Sequence, residues 1–242
     1  MDQKKAVLVI GAGDATGGAV ARRFARGGYI ACVARRDFEK LKPLVDQIEA
    51  AGGVARPFAC DARNEDQVIK LVDQIEREVA PIEVAVFNVG ANFRAGIAEL
   101  STEIFKKAWE LGCFGGFLMG REVAKPMLAR GRGTIIFTGA TASLRGRETF
   151  AAFASAKHAL RALAQSMARE LWPKGIHVAH IIIDGPIDGQ FIRTNLPERY
   201  ALKEQGGILS PDNIAETYWQ IHMQPRNAWT HEAELRPWME RW

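Results

Sequence analysis

The chain contains little cysteine. Its three cysteines, Cys32, Cys60 and Cys113, stand at spacings that match neither a disulfide framework nor a zinc site. We therefore expect buried, reduced thiols and no metal centre. His177 and His180 differ by an odd number along an apolar run, so they should point to opposite faces of a strand and not form a metal pair.

Long apolar runs and basic runs are also absent. No stretch approaches the length of a membrane span, and the apolar run after the first lysines is too short for a signal-peptide core. We therefore expect a cytoplasmic protein that has no membrane partner. The formal charge of +4 at pH 7 comes from basic residues scattered along the chain, with a modest cluster at Arg121, Lys125, Arg130, Arg132, Arg145 and Arg147. This pattern does not predict nucleic acid binding and fits a polyanionic small ligand.

What the chain does have is an alternation of short apolar runs with helical patterns. With 242 residues, 48% of them apolar, and no repeat or linker, it should form a single domain over residues 1–242. The alternation predicts an α/β fold, a doubly wound parallel sheet with helices on both faces. The runs that predict its strands are AVLVI (6–10), YIACVA (29–34), VARPFA (54–59), IEVAVF (82–87), GTIIFT (133–138) and IHVAHIII (176–183).

A glycine-rich turn, GAGDATGG, follows the first predicted strand and precedes a helical pattern. Such a turn lets backbone N–H groups reach a pyrophosphate at the helix N-terminus. The spacing is imperfect because Thr16 and Ala15 stand where glycine is usual, and a tight turn needed only for packing is the alternative. The candidate cofactor contacts here are Gly11, Gly13, Asp14, Ala15, Thr16 and Gly17.

The end of the second strand carries Arg35 and Arg36, with no carboxylate before Asp37. An acid at this position would bind a ribose diol, whereas a basic residue pairs with a 2′-phosphate. The sequence therefore favours NADP over NAD, the alternative being an ordinary solvated helix start.

The stretch TFAAFASAKHALRALAQSMA predicts a helix in which Phe153 lies one turn before Lys157. A tyrosine at 153 would form an acid–base pair with this lysine, because the ammonium would lower the phenol pKa. Phenylalanine has no proton to give. His158 should face away from this pair, in the core or at an interface.

Taken together, these features make the chain resemble the short-chain dehydrogenase/reductase family along its whole length. The motifs that carry the resemblance are the glycine turn, CDA at 60–62, NVG at 88–90, the helix with Lys157, and DGPID at 184–188.

The resemblance implies a seven-stranded sheet whose last strand lies in WTHEAELRP, and a homodimer or homotetramer built on the helices around 101–129 and 149–172. It also implies that Asp61 holds the adenine amino group and that Lys157 binds the nicotinamide ribose. The remaining cofactor contacts that it implies are Ala62, Asn88, Gly90, Gly185 and Ile187.

The resemblance fails at the catalytic positions of the family. Its tyrosine, serine and supporting asparagine fall here on Phe153, Ala140 and Gly112, so only Lys157 is kept. Two functions stay open: an NADP(H)-dependent oxidoreductase with an altered acid–base site, and a catalytically silent NADP(H)-binding sensor or partner subunit. Nearby hydroxyls either substitute in the site or make ordinary loop and cap hydrogen bonds; these are Thr138, Thr141, Ser143 and Ser155.

The small-molecule substrate should meet a mostly apolar pocket with an arginine or two at its rim. Residues 189–209 lack strong periodicity and predict a mobile lid. The candidate substrate-side residues are Phe93, Arg94, Ala140, Phe153, Phe191 and Arg193.

Overall fold

The centre of the molecule is a parallel sheet with the strand order β3-β2-β1-β4-β5-β6-β7. The computed structural model describes residues 4–90 and 92–241. The strands are β1 (Ala6–Ile10), β2 (Ile30–Arg35), β3 (Val54–Ala59), β4 (Ile82–Phe87), β5 (Gly133–Ala140), β6 (Ile176–Ile183) and β7 (Glu232–Leu235).

Helices cover both faces of the sheet. In chain order, the helices before β5 are α1 (Thr16–Arg26), α2 (Lys42–Ala50), α3 (Glu65–Glu78), α4 (Thr102–Trp109) and α5 (Gly115–Arg130). Those after β5 are α6 (Ala151–Leu171), α7 (Gln190–Asn195), α8 (Pro197–Tyr200) and α9 (Pro211–His222).

Two apolar cores result from the period of two along each strand. In β1, Leu8 and Ile10 face the core formed with α3, α5 and α6, whereas Val7 and Val9 face the core formed with α1, α2 and α9. Because β1 is buried on both faces, every residue in it is apolar, as is usual in parallel sheets.

The predicted α/β fold, with seven parallel strands, is confirmed. The predicted strand limits need small corrections: β5 continues two residues further, to Ala140, and β7 is the short central part of WTHEAELRP. The pairing of Ala140 with Ile183 on β6 explains the longer β5, because a strand lasts as long as its neighbour supplies hydrogen-bond partners.

The segment 189–209, predicted to be a lid, contains more regular structure than its sequence pattern indicates. It is not an irregular loop, because it contains α7, α8 and a 3₁₀ turn at Lys203–Gln205. Both its ends are held: Ile187 bridges Leu209, and the Lys203 ammonium lies 2.9 Å from the Asp188 carboxylate. Helices this short give too few turns for a readable hydrophobic period.

Between α4 and α5 the chain makes a π-helical turn at Glu110–Phe114, and Gly112 lies in it. A Cβ on Gly112 would be 2.8 Å from the Ala156 Cβ of α6. The glycine thus lets the long helix approach α6 closely. An asparagine at this position, which the resemblance would supply, does not fit this packing.

Candidate active site

Two cavities open beside the carboxyl ends of the strands, and both are lined by Asn88. One, of about 600 Å³, we call the glycine-turn cavity; the other, of about 580 Å³, we call the Phe153 cavity. The predicted residues that line the glycine-turn cavity are Gly11, Gly13, Arg35, Arg36, Asp61, Ala62, Asn88 and Gly90. Those that line the Phe153 cavity are Asp14, Ala15, Thr16, Asn88, Arg94, Ala140, Phe153, Gly185, Ile187 and Phe191.

The Asn88 side chain holds the backbone of the glycine turn. Its amide donates to the Gly11 carbonyl over 3.1 Å. Gly11 has a φ of +90°, and a Cβ there would collide with the Asn88 carbonyl oxygen. Gly17 lines neither cavity; it lies under the turn, where a Cβ would collide with the Gly11 carbonyl. Both positions therefore need glycine for close backbone approach.

The N-terminus of α1 is left without a cap. Ala15 precedes the helix and offers no side-chain acceptor, and the first turn has no acidic residue. Side chains cap α3, α4 and α9, whereas α1, like α2, α5 and α6, has no side-chain cap. The free N–H groups and the positive end of the helix dipole at the start of α1 suit an anion next to the glycine turn.

The Thr16 hydroxyl is a second feature at the start of α1 that suits a bound anion. It is buried and has no hydrogen-bond partner among the described residues. An orphaned buried hydroxyl costs free energy unless a ligand satisfies it. Thr16 therefore fits a phosphate group bound at the start of α1.

The guanidiniums of Arg35 and Arg36 line the glycine-turn cavity, not the Phe153 cavity that Thr16 lines. Within residues 4–90 and 92–241 neither forms a hydrogen bond or ion pair, although Asp37 is close in sequence, because Asp37 pairs with Lys40 over 3.1 Å. Two free cations at the end of β2 suit a phosphate ester on the cofactor ribose.

The Asp61 carboxylate already forms an ion pair with Arg63. Both of its oxygens accept hydrogen bonds from Arg63, the shorter over 2.6 Å. The guanidinium hydrogen bonds hold the pKa of Asp61 below its usual range. The carboxylate is thus ionised and fixed at the edge of the cavity, where the adenine contact was predicted.

Lys157 is buried and lines neither cavity. Its ammonium donates to the carbonyls of Thr138 over 2.9 Å and Val89 over 3.2 Å, and lies 6.0 Å from the Phe153 ring. Burial lowers its pKa to about 8, with the neighbouring Cys113 acting in the opposite direction. The structure therefore places this amine behind the wall of the cleft, with two of its three donors used by backbone.

Phe153 and Ala140 face the Phe153 cavity together, in the positions that the resemblance assigns to the tyrosine and the serine. Of the nearby hydroxyl-bearing residues, Thr138 and Thr141 also line this cavity, whereas Ser143 and Ser155 do not. Thr138 pairs with the buried Tyr218 phenol over 2.9 Å, Thr141 donates to Asp184 over 2.5 Å, and Ser143 accepts from the Ala140 N–H over 3.1 Å. Ser155 donates to the Ala151 carbonyl over 2.7 Å. All four hydroxyls thus make internal hydrogen bonds.

Two predicted substrate-side residues are not brought to this cavity. The Phe93 ring instead lies 5.9 Å from the Lys107 ammonium. Arg193 donates to the Tyr200 phenol over 2.8 Å, since both side chains lie on the segment of α7 and α8. Phe191 does line the cavity, and its side chain is 62% exposed.

Sequence reasoning missed several cavity residues. A signal existed for Arg145 and Arg147, which belong to a sequence-local basic cluster, whereas Glu240 comes from the far C-terminal end and no local pattern predicts it. The missed residues include Asn92, Arg145, Arg147, Phe150, Arg199 and Glu240.

The remaining cysteine and histidine predictions concern the core. All three cysteines are free and buried, so the predicted burial is confirmed. His177 stacks on Trp229 at 4.7 Å and His180 bonds to Glu232 at 2.9 Å, on opposite faces of β6. His158 is exposed rather than in the core, so that half of its prediction is wrong.

Among the described residues, no helix has the length and apolarity to cross a bilayer. Over the same part of the chain, no group of three or more His, Cys, Asp and Glu side chains is arranged to hold a metal ion.

Comparison with known proteins adds to this geometry. A family model described as short chain dehydrogenase matches residues 5–198. A 2,3-dihydro-2,3-dihydroxybenzoate dehydrogenase of Bacillus subtilis is 34% identical over 69% of this chain and 64% of its own, so the chain spans less than two thirds of that relative.

Solved structures match over nearly the full chain. The short-chain dehydrogenase from Rhodopseudomonas palustris is 49% identical, with a TM-score of 0.84 over 97% of this chain and 99% of that one. A metagenomic short-chain oxidoreductase in complex with NADP is 25% identical, with a TM-score of 0.83 over 98% of each chain.

Proposed function

The chain belongs to the short-chain dehydrogenase family, and from this premise we propose that it is an NADP(H)-dependent oxidoreductase with an altered acid–base site. Its substrate is a small molecule with a mainly apolar body. The observation that carries the proposal is the glycine-turn cavity, where unpaired Arg35 and Arg36 lie near an uncapped α1.

The residues present fit the dinucleotide. The α1 N-terminus and the orphaned Thr16 hydroxyl would hold the pyrophosphate, and Arg35 and Arg36 would hold a 2′-phosphate. Asn88 lines both cavities and would stand between the two halves of the cofactor. When bound, the nicotinamide would supply or accept a hydride. The NADP complex of a structurally similar short-chain oxidoreductase supports this choice of cofactor.

The Phe153 cavity gives no obvious proton donor to the reacting atoms. Phe153 and Ala140 cannot donate, and Lys157 is bonded to backbone carbonyls behind them. A missing general acid costs about 10²- to 10⁴-fold in rate, and a missing oxyanion donor roughly 10²- to 10³-fold. We therefore propose C=N or conjugated C=C substrates in preference to simple ketones, because an iminium carries its own charge and an enolate is protonated later by water.

One observation favours a second candidate, a catalytically silent NADP(H)-binding sensor or partner subunit. Lys157 does not reach the surface of either cavity, although it is the one member of the family's catalytic set that this chain keeps. A protein of this kind would bind the dinucleotide and turn nothing over.

We also propose a cytoplasmic homodimer or homotetramer built on α4, α5 and α6. Its support is a stripe of aromatic rings along the long helix. Trp109 stacks on Phe114 at 5.7 Å and Phe114 on Phe117 at 6.1 Å, and Phe105, Trp109 and Phe117 are each about 40% exposed. Exposed aromatic patches of this kind are typical of interfaces.

Fluorescence titration with NADPH tests the proposed cofactor, and a substrate panel then separates the two candidates. We expect NADPH binding, together with NADPH oxidation by cyclic imines or activated alkenes and little by aliphatic ketones. Binding with no turnover across the panel would favour the silent protein. Failure to bind either dinucleotide would contradict both candidates.

A further inference from the structure

The Phe153 cavity has apolar walls but a charged rim. Two carboxylates, Asp14 and Glu240, line it together with four arginines. The arginines are Arg94, Arg145, Arg147 and Arg199.

Two of these arginines are neutralised inside the protein. Arg145 lies 3.2 Å from the buried Asp184, which also accepts from Thr141. Arg199 lies 3.3 Å from the Glu240 carboxylate. Their charges are thus compensated, and their positions are fixed by structural contacts.

The other two, Arg94 and Arg147, are not compensated. Within the described ranges, neither side chain forms a hydrogen bond or ion pair. The Arg94 guanidinium instead lies over the Phe150 ring, 4.6 Å from its centroid. Stacking of this kind holds the guanidinium plane and leaves its in-plane N–H donors available.

The backbone brings these two arginines to the same part of the rim. The Ala95 N–H donates to the Thr149 carbonyl over 3.0 Å, and the Phe150 N–H donates to the Arg147 carbonyl over 3.1 Å. Thr149 between them has a φ of +66°, which is rare for a β-branched residue. Such a conformation is kept where the surrounding structure determines it and is found often at ligand sites.

We propose that Arg94 and Arg147 form an anion clamp that selects substrates with a carboxylate or phosphate on an apolar body. The clamp rests on the proposed function, because it assigns the Phe153 cavity to the substrate. An anionic group would lie between the guanidiniums at the rim, and the apolar body would pack on Phe150, Phe153 and Phe191 inside. Guanidinium forks bind both anions through two parallel hydrogen bonds, and the surrounding apolar walls strengthen these bonds.

Calorimetric titration with benzoate, phenyl phosphate and benzamide tests the clamp. Benzamide has nearly the shape of benzoate and no charge. We expect either anion to bind the parent at least about ten-fold more tightly than benzamide, with the preference falling as salt rises. The tighter of the two anions identifies the substrate group.

Variants of the two arginines then show which side chains cause the preference for anions. Arg94→Gln and Arg147→Gln should each weaken anion binding about ten-fold and leave benzamide unchanged, and Arg147→Lys should restore part of the loss. Arg169→Gln, an exposed position on α6, is the matched control and should change nothing. Equal binding of the three probes, or an anion preference that survives Arg94→Gln with Arg147→Gln, would overturn the clamp.

Titrations with and without NADPH keep the two proposals separate. If NADPH fails to bind, the proposed function fails, yet the anion preference is still measured in the cofactor-free protein. If NADPH binds normally and the anion preference is absent, only the clamp fails.

Discussion

The glycine-turn cavity and the Phe153 cavity share Asn88 but are lined by different chemical groups. The first is made of backbone N–H groups, tight glycines and unpaired arginines, whereas the second has inner walls of aromatic and aliphatic side chains and a charged rim. Backbone geometry follows from the fold, so the first cavity keeps its form when single side chains change. The chemistry of the second depends on side chains, and a few replacements are enough to remove it.

The hydroxyls differ between two sides of the Phe153 cavity, the start of α1 and the end of β5. The Thr16 hydroxyl beside the glycine turn has no partner, whereas those of Thr138, Thr141 and Ser143 beside Ala140 all have one inside the protein. Unsatisfied buried groups indicate a place prepared for a ligand. Beside Ala140, the hydroxyl groups instead serve the structure.

The largest effect should follow from breaking the backbone of the first cavity. Gly11→Ala would combine a φ of +90° with a collision against the Asn88 carbonyl, so we expect a loss of about 3 kcal/mol in the free energy of unfolding and no NADPH binding. Gly13→Ala is the matched control, because a Cβ there meets nothing within 4 Å, and its stability should change by less than about 0.5 kcal/mol. Urea unfolding measures the stability of both variants. Equal stabilities of Gly11→Ala and Gly13→Ala would contradict the account of the turn.

A smaller effect should follow from reversing the charge at the end of β2. A charge-assisted contact is worth about 1.5–3 kcal/mol, so NADPH should bind the parent about ten- to hundred-fold more tightly than NADH. Arg35→Asp should reverse this order, while Arg169→Asp should leave it unchanged. Equal affinities of the parent for the two cofactors would show that Arg35 is only solvated.

The smallest effect should be a pH dependence caused by Lys157. Its folded pKa of about 8 lies below the unfolded value of 10.5, so between these values the unfolded chain binds more protons and stability rises with pH. Relative to Lys157→Met, the parent should gain about 1.5 kcal/mol in unfolding free energy from pH 8 to pH 9.5. The comparison with this variant cancels the titration of the buried thiols. A difference that stays constant with pH would show that burial does not lower the pKa of Lys157.

Local patterns were enough for most of the fold and for the glycine turn. Strands β1, β3, β4 and β6 were predicted to the residue, because apolar runs between turn signals mark buried parallel strands directly. The turn was readable because its glycines and its place between strand and helix are local features.

The substrate side was less predictable because its geometry is not local. Arg199 and Glu240 reach the cavity from the segment after β6 and from the C-terminal end. The burial of Lys157 depends on Thr138 and Val89, which are distant in sequence, and the need for glycine at 112 depends on its contact with Ala156. No spacing rule along the chain reports such contacts.

The central claim is that the cleft keeps its cofactor half and lacks only the two hydroxyl groups that the family's tyrosine and serine supply. NADPH oxidation with activated ketones tests it most directly, comparing the parent with Phe153→Tyr combined with Ala140→Ser; Gly112 stays unchanged because a Cβ there would meet Ala156. The account predicts parental NADPH affinity and a gain of at least about 100-fold in ketone reduction, lost again when Lys157→Met is added. A parent that already reduces these ketones as fast as the variant would contradict the account.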